Sequence, residues 1–184
     1  FPSGVYNNPG SSQFIMKLDS TLSTGIFSTV YGSGPVANVN ISPVAFLVDT
    51  CQNIYISGWG GLTITGPPTS VQGLPISPNA IQATTDGSDF YFIVLKKNLQ
   101  SLLYASYFGS SGIQEHVDGG TSRFDPNGVV YQAICASCGN MSLYPATPGA
   151  YATQKNSNNC NLGVVKIAFN LGSVTTNAQA LPST

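Results

Sequence analysis

The sequence predicts an all-β protein built from four-stranded antiparallel units that repeat along the chain. Short runs of β-branched and aromatic residues alternate with clusters of Gly, Pro, Asn and Ser, which is the pattern of strands and turns. No long stretch places apolar residues at the spacing of one helix face. Sequence landmarks return in the same order after 70 to 77 residues, which indicates a repeat architecture.

Nine runs along the chain are predicted to form strands. Each is rich in β-branched or aromatic residues and is bounded by residues that favour turns. The predicted strands are Phe14–Leu18, Gly25–Tyr31, Val44–Asp49, Asn53–Gly58, Phe90–Lys96, Leu102–Phe108, Thr121–Asp125, Val129–Cys135 and Gly163–Phe169.

The repeat rests on three pairs of similar segments. The pairs are 15–32 with 92–109, 46–57 with 122–133, and 74–82 with 144–152, at offsets of 77, 76 and 70. The second pair aligns Asp49 with Asp125 and Tyr55 with Tyr131. Both aspartates fall where a tight turn uses a side chain to hold its backbone amides, so we expect them to be structural.

Each full unit has four antiparallel strands and a long loop before the third, which is typical of a β-propeller blade. The predicted units are 1–43 (the C-terminal part of one blade), 44–120 (a second blade) and 121–184 (an incomplete third blade). The chain therefore holds roughly two and a half blades, whereas a propeller needs about four to eight to close. We expect it to be a segment of a larger propeller. A compact β-sandwich is the alternative, and the ordered repeat argues against it.

Composition excludes several classes of protein. Charged residues make up 7% of the 184 residues, against about 25% in an average soluble protein. The net charge is -1 and no basic patch is present, so nucleic acid is not an expected partner. No apolar run approaches the roughly 18 residues of a membrane span. Low charge, many Ser, Thr and Asn residues and four cysteines predict an exported protein in which disulfides persist.

Four strings carry a resemblance to a known family: NIYISGWGG, YFIVLKKNLQSLLYASYFGS, EHVDGGTSRFDPNGVVYQAICASCG and NNCNLGVVKIAFN. Together they resemble the SBBP-type β-propeller region of large secreted Bacteroidetes proteins, over roughly residues 1–171. Such proteins are often gliding-motility-associated or type IX secretion substrates. The resemblance implies an extracellular or outer-surface location and a C-terminal sorting domain elsewhere in the parent protein, but no settled activity.

The same resemblance bears on partners and modification. It implies the remaining blades and domains of the parent protein as partners, together with secretion or surface-complex proteins or glycans. The segment Asp19-Ser20-Thr21 is similar to the short O-glycosylation signal of exported Bacteroidetes proteins, which makes Ser20 a candidate glycosylation site.

We expect a non-enzymatic scaffold or adhesion and interaction module, with no catalytic residue assigned. The alternative is a propeller hydrolase or lyase acting on polysaccharide through acids of the EHVDGG segment. Glu115, His116 and Asp118 precede a predicted innermost strand, so they are expected to face the axial channel or top surface. There they could bind a ligand or a cation such as Ca²⁺, or simply form a polar loop. Trp59, among glycines at a strand end, could stack on a sugar or cap the core.

The cysteines allow three interpretations: a redox centre, half of a zinc site or a structural clamp. Zinc needs four ligands, and the single His116 lies near no other ligand in the sequence. A redox Cys-x-x-Cys pair normally starts a helix. The pair Cys135 and Cys138 instead ends a second strand, whose end should meet Cys160 before the antiparallel third strand. We therefore predict a Cys138–Cys160 or Cys135–Cys160 disulfide, no metal site, and Cys51 in a turn at the opposite rim.

Overall fold

The protein is all-β over the part of the chain that the computed structural model describes. Those residues are 4–35, 39–62, 68–117, 122–125, 128–138, 144–155, 157–168 and 175–176. The strands are β1 (Gln13–Leu18), β2 (Gly25–Tyr31), β3 (Ser42–Val48), β4 (Ile54–Trp59), β5 (Phe90–Leu95), β6 (Leu102–Phe108), β7 (Ser122–Phe124), β8 (Val129–Ala136), β9 (Asn161–Ala168) and β10 (Thr175–Thr176). A single 3-10 turn spans Lys97–Leu99, and the described residues contain no α-helix.

The strands form three antiparallel sheets that follow chain order. The first sheet contains β1 and β2, the second contains β3 to β6 and the third contains β7 to β10. Every strand pairs with its neighbour in sequence, so each four-stranded sheet is a simple meander. The pairing confirms the predicted all-β class and the four-stranded antiparallel units. The boundaries of the units, 1–43, 44–120 and 121–184, stay a prediction.

The repeat extends to unusual backbone conformations. Leu22 and Leu99, aligned at an offset of 77, both have a φ of 58°. Gln52 has a φ of 65°, and its counterpart Gly128, 76 residues later, has a φ of 78°. Positive φ is uncommon for residues other than glycine. Its recurrence at aligned positions indicates that the β1–β2 turn resembles the β5–β6 turn, and that the β3–β4 turn resembles the β7–β8 turn.

The two aligned aspartates have the structural role expected of them. The Asn53 N–H donates to Asp49 Oδ1 at 2.8 Å, and the Val129 N–H donates to Asp125 Oδ1 at 3.0 Å. Each carboxylate thus satisfies a backbone donor inside the turn that joins the first two strands of its sheet. In addition, the Tyr55 hydroxyl donates to Asp49 Oδ2 at 2.9 Å.

The second sheet lies between the other two, and its strands β4 and β5 are buried on both faces, whereas Phe46 and Val48 on the edge strand β3 are exposed. Every residue of β4 and β5 is buried. Side chains alternate between the faces of a strand, so one set packs in the core shared with the first sheet and the other in the core shared with the third. On β5 these sets are Tyr91, Ile93 and Leu95, and Phe90, Phe92 and Val94. A two-layer sandwich leaves each sheet one solvent-facing side, so this three-layer arrangement is different from the sandwich alternative.

Candidate functional site

Glu115 lies inside the protein, between the second and third sheets. Its side chain is 0% exposed. Its Oε1 accepts hydrogen bonds from the Ser110 N–H at 3.2 Å and from the Ser110 hydroxyl. The Glu115 N–H donates to the Ser88 carbonyl at 3.2 Å, which holds the segment against the start of β5. These contacts correct the expectation that Glu115 faces a channel or the top surface. Asp118 lies outside the described residues.

A second buried acid, Asp89, lies close to Glu115. The sequence alone gives no reason to assign Asp89 to the site. Asp89 directly precedes β5 and is 1% exposed. Its Oδ2 accepts a hydrogen bond from the Gln82 side-chain amide at 3.3 Å. No hydrogen-bond partner among the described residues reaches Asp89 Oδ1, Glu115 Oε2 or the buried hydroxyl of Tyr144.

Burial changes the acidity of all three groups. Burial raises the pKa of Glu115 to about 7, and the charge of Asp89 adds to this shift while the Ser110 hydrogen bonds oppose it. The pKa of Asp89 rises to about 6, mainly through burial and further through the charge of Asp86, while hydrogen bonding with the Thr85 side chain and the Asp86 backbone opposes the rise. Burial raises the pKa of Tyr144 as well, with contributions from Glu115 and Asp89. The three groups therefore act on one another electrostatically.

His116 and Trp59 form a contact that the sequence did not reveal. His116 pairs with Cys135 as an isolated β-bridge, which brings the loop after β6 onto β8. Its ring lies 5.7 Å from the Trp59 ring, centroid to centroid. Trp59 is buried because strand alternation turns it toward the third sheet, where it packs in the shared aromatic core. The idea that Trp59 is exposed and stacks on a sugar is corrected accordingly, since its core-capping alternative fits this position.

Cys138 and Cys160 are joined by a disulfide, which is one of the two pairings predicted from the sequence. The bond links the end of β8 to the residue before β9, across the mouth of the long loop. His116 Nδ1 lies 3.6 Å from Cys138 Sγ. These three residues have metal-binding atoms within 4.8 Å of one another. Cysteine binds zinc as a thiolate, however, and both of these sulfurs are oxidised in the disulfide, which leaves His116 as the only one of the three able to bind zinc.

The remaining predicted positions lie apart from this region. Cys51 is exposed in the turn between β3 and β4, and Cys135 is half-buried; neither takes part in a disulfide. Ser20 is exposed in the turn between β1 and β2. The Asp19 carboxylate orders that turn by accepting hydrogen bonds from the backbone N–H groups of Ser23 and Thr24, at 2.9 and 3.2 Å.

The outer face of the first sheet is apolar and exposed. It carries Phe14, Met16, Leu18 and Ile26, and we call it the first end face. Phe14 is 68% exposed, whereas its counterpart on β5, Tyr91, is 0% exposed. Beside the free edge of β1 lies a groove of about 460 Å³, lined by Phe14, Ile15, Met16, Tyr31, Pro43, Val44, Ala45, Phe46 and Ile56.

The outer face of the third sheet is also open. It carries Tyr131, Leu162 and Lys166, and we call it the second end face. Tyr131 is 37% exposed, whereas its repeat counterpart Tyr55 is 3% exposed. The Lys166 ammonium lies 5.4 Å from the centroid of the Tyr131 ring, which partly covers that ring. The counterparts of these positions in the second sheet are core residues.

Comparison of the chain with protein-family models, with curated proteins and with solved structures gives no match. No helix among the described residues is long and apolar enough to cross a membrane.

Proposed function

We propose that this chain is a segment of a larger β-propeller, in an exported protein where it acts as a non-enzymatic scaffold or interaction module. One observation carries the proposal. Strands β4 and β5 of the middle sheet are buried on both faces, and the sheets on either side repeat its registers while exposing positions equivalent to theirs. Contiguous exposed apolar surface marks a site of association, so the end faces are where further sheets would pack.

The free edge of β1 supports this proposal in a specific way. In the second sheet, β5 hydrogen-bonds to β4 on one side and to β6 on the other. By the repeat, β1 corresponds to β5 and β2 to β6, so the strands corresponding to β3 and β4 would lie beside β1. The groove lined by Phe14, Met16 and Phe46 occupies that place. We propose that the first two strands of the same unit, supplied by the parent polypeptide, fill it.

The location and wider role rest on weaker support. The Cys138–Cys160 disulfide suits an oxidising compartment outside the cytosol. The resemblance to SBBP-type propeller regions adds a link to type IX secretion, gliding motility or surface adhesion in Bacteroidetes. On this proposal the partners are neighbouring blades, surface-complex proteins or glycans.

The proposal is tested by the assembly state of the isolated chain. We expect sedimentation velocity to give species larger than the 19.2 kDa chain, increasing with concentration, because the first end face is apolar and uncovered. Phe14→Thr/Met16→Thr should shift the distribution toward the monomer. The matched control Leu62→Thr removes another exposed apolar side chain, in the loop after β4, and should have no effect. A wild-type chain that is monomeric at every concentration would count against open end faces.

The alternative function, hydrolysis or cleavage of polysaccharide, has a pair of carboxylates with raised pKa values in its favour. Against it, Glu115 is fully buried and bonded to Ser110, so a polymer cannot reach it. If polysaccharide turnover is found, Glu115→Gln should abolish it; unchanged turnover in that variant would remove Glu115 from the reaction.

A further inference from the structure

We propose that the junction between the second and third sheets binds a hard divalent cation through Asp89 Oδ1 and Glu115 Oε2, with the Tyr144 hydroxyl as a further oxygen ligand. We call these three residues, together with Gly109 and Ser110, the acidic junction. The proposal does not depend on whether the chain belongs to a propeller, because it concerns only contacts between two sheets of this chain.

The acidic junction contains buried oxygens without partners. Asp89 Oδ1, Glu115 Oε2 and the Tyr144 hydroxyl are shielded from solvent and lack a hydrogen-bond partner among the described residues. An ionised carboxylate inside a protein is costly unless a proton, a cation or several donors compensate it. Two such carboxylates in one place require compensation still more strongly.

The two carboxylate oxygens converge on one glycine. A Cβ atom on Gly109 would lie 2.0 Å from Asp89 Oδ1 and 2.4 Å from Glu115 Oε2. Both oxygens therefore lie next to the Gly109 backbone, in the space that the Cβ of any other residue would need. The strand pairing explains this: Phe90 faces Phe108 in the sheet, so the residues just outside the pair, Asp89 and Gly109, are neighbours.

The junction between the first and second sheets has the same construction with neutral residues. The Ser33 N–H donates to Asn40 Oδ1 at 2.9 Å, as the Ser110 N–H donates to Glu115 Oε1. A Cβ on Gly32, the counterpart of Gly109, would meet Asn40 Oδ1 at 2.7 Å and Ser11 Oγ at 2.9 Å. Asn40 thus takes the place of Glu115. Ser11 Oγ fills the space beside Gly32 that Asp89 Oδ1 fills beside Gly109, although the repeat aligns Asp89 with the next residue, Ser12.

The neutral junction needs no added ligand. The Asn40 side-chain amide donates to Ser33 Oγ and to the Ser70 carbonyl, both at 2.9 Å, so both ends of the side chain are satisfied. The same backbone arrangement is therefore stable without acids. Replacing an amide and a hydroxyl by two carboxylates removes donors and adds negative charge, which the fold itself does not require. This difference between the two junctions indicates that the acidic one holds a cation.

The donor set indicates which class of cation. An all-oxygen set of carboxylates and a hydroxyl suits hard ions such as Ca²⁺, whereas zinc sites nearly always include sulfur or nitrogen ligands. Asp89 and Glu115 come from segments flanking the second sheet, and Tyr144 comes from the loop between β8 and β9 of the third. A cation bound by all three would join consecutive sheets and stabilise their packing.

The test uses the purified chain, stripped with EDTA and then titrated with CaCl₂. We expect isothermal titration calorimetry to show one site, and thermal unfolding to show a Tm that rises with calcium concentration, because the ion binds the folded state. The variant Asp89→Ser/Glu115→Asn copies the neutral junction, so it should fold and lose both responses. The control Asp19→Asn alters an acid in the remote turn between β1 and β2 and should keep both responses.

Two results would overturn the proposal. A wild-type chain that gives no calorimetric heat and no calcium-dependent change in Tm at neutral pH does not bind the ion. In that case the pair shares a proton instead, and the Tm should fall with rising pH equally in calcium and in EDTA. A calcium response that persists unchanged in Asp89→Ser/Glu115→Asn would place the ion elsewhere. If that variant fails to fold, the calorimetric titration of Glu115→Gln decides the second point.

Discussion

At the scale of single residues, Gly109 shows how closely backbone and side chains are matched. Two carboxylate oxygens occupy the space where its side chain would be. These oxygens belong to residues that are themselves held, Asp89 by Gln82 and Glu115 by Ser110, so neither can move away easily. The position therefore tolerates glycine alone, for reasons of space rather than of φ.

We expect Gly109→Ala to lower the free energy of unfolding by about 1–3 kcal/mol, the usual cost of overpacking a core. Urea denaturation measures this directly. Gly25→Ala is the matched control, because a Cβ there meets nothing within 4 Å and the backbone does not need a positive φ. Equal stability of the two variants would mean that Asp89 and Glu115 do not approach Gly109.

The raised pKa values of Asp89 and Glu115 make stability depend on pH when no metal is bound. The folded state holds these protons more tightly than the unfolded chain does, so their contribution is complete below the ordinary carboxyl pKa of about 4. It is lost as the pH rises through about 6 and 7, the folded values. In EDTA, the free energy of unfolding should therefore fall over this range.

Asp89→Ser/Glu115→Asn should remove that part of the pH dependence, since it replaces both titrating groups with neutral ones. Denaturation in EDTA at a series of pH values, for wild type and variant, gives the comparison. Parallel pH profiles for the two proteins would assign the dependence to other groups.

At the scale of elements, the strands could be predicted because their residues carry a local signal. The runs of β-branched and aromatic residues place β1 to β9 within about two residues of their observed ends. β10, only Thr175–Thr176, has no apolar signal and could not be predicted. The glycines around Trp59 suggest an exposed side chain, but its burial is decided by the face of β4 that it occupies.

The candidate site could be predicted only in part. Glu115 stood out because acids are rare in this chain, but its partner lies 26 residues earlier and is brought to it by the β5–β6 register. The repeat gives a partial signal, because the offset of 77 places the neutral Ser12 opposite Asp89. The correspondence of Ser11 and Asn40 with the two acids is visible only from the contacts of both junctions.

The disulfide acts at the same scale by tying β8 to β9. It closes a loop with a sequence separation of 22 residues, for which the chain-entropy model gives about 3 kcal/mol. We expect Cys138→Ser/Cys160→Ser to lose roughly this much stability, measured by urea denaturation. Cys51→Ser, which removes an exposed cysteine that is not in a disulfide, should leave the midpoint unchanged. A double variant as stable as wild type would show that the bond does not constrain the loop.

At the scale of the whole molecule, three sheets repeat one pattern, and among the described residues only the middle sheet has strands, β4 and β5, that are covered on both faces. The residues at equivalent positions differ in exposure because of what lies next to them, not because of their chemistry: Phe14 and Tyr91 are both large and apolar, and only Tyr91 is buried. We propose that both end faces are docking surfaces for further sheets of the same kind.

Amide hydrogen exchange, followed by mass spectrometry on peptides covering β1 and β5 at low and high protein concentration, tests this claim most directly. The account predicts that β5 is protected throughout, since it lies inside a fully paired sheet. β1 should exchange faster in the dilute chain and gain protection as concentration rises and the first end face is covered. If β1 is as protected as β5 in the most dilute sample, or does not respond to concentration, the first end face is not an open docking surface.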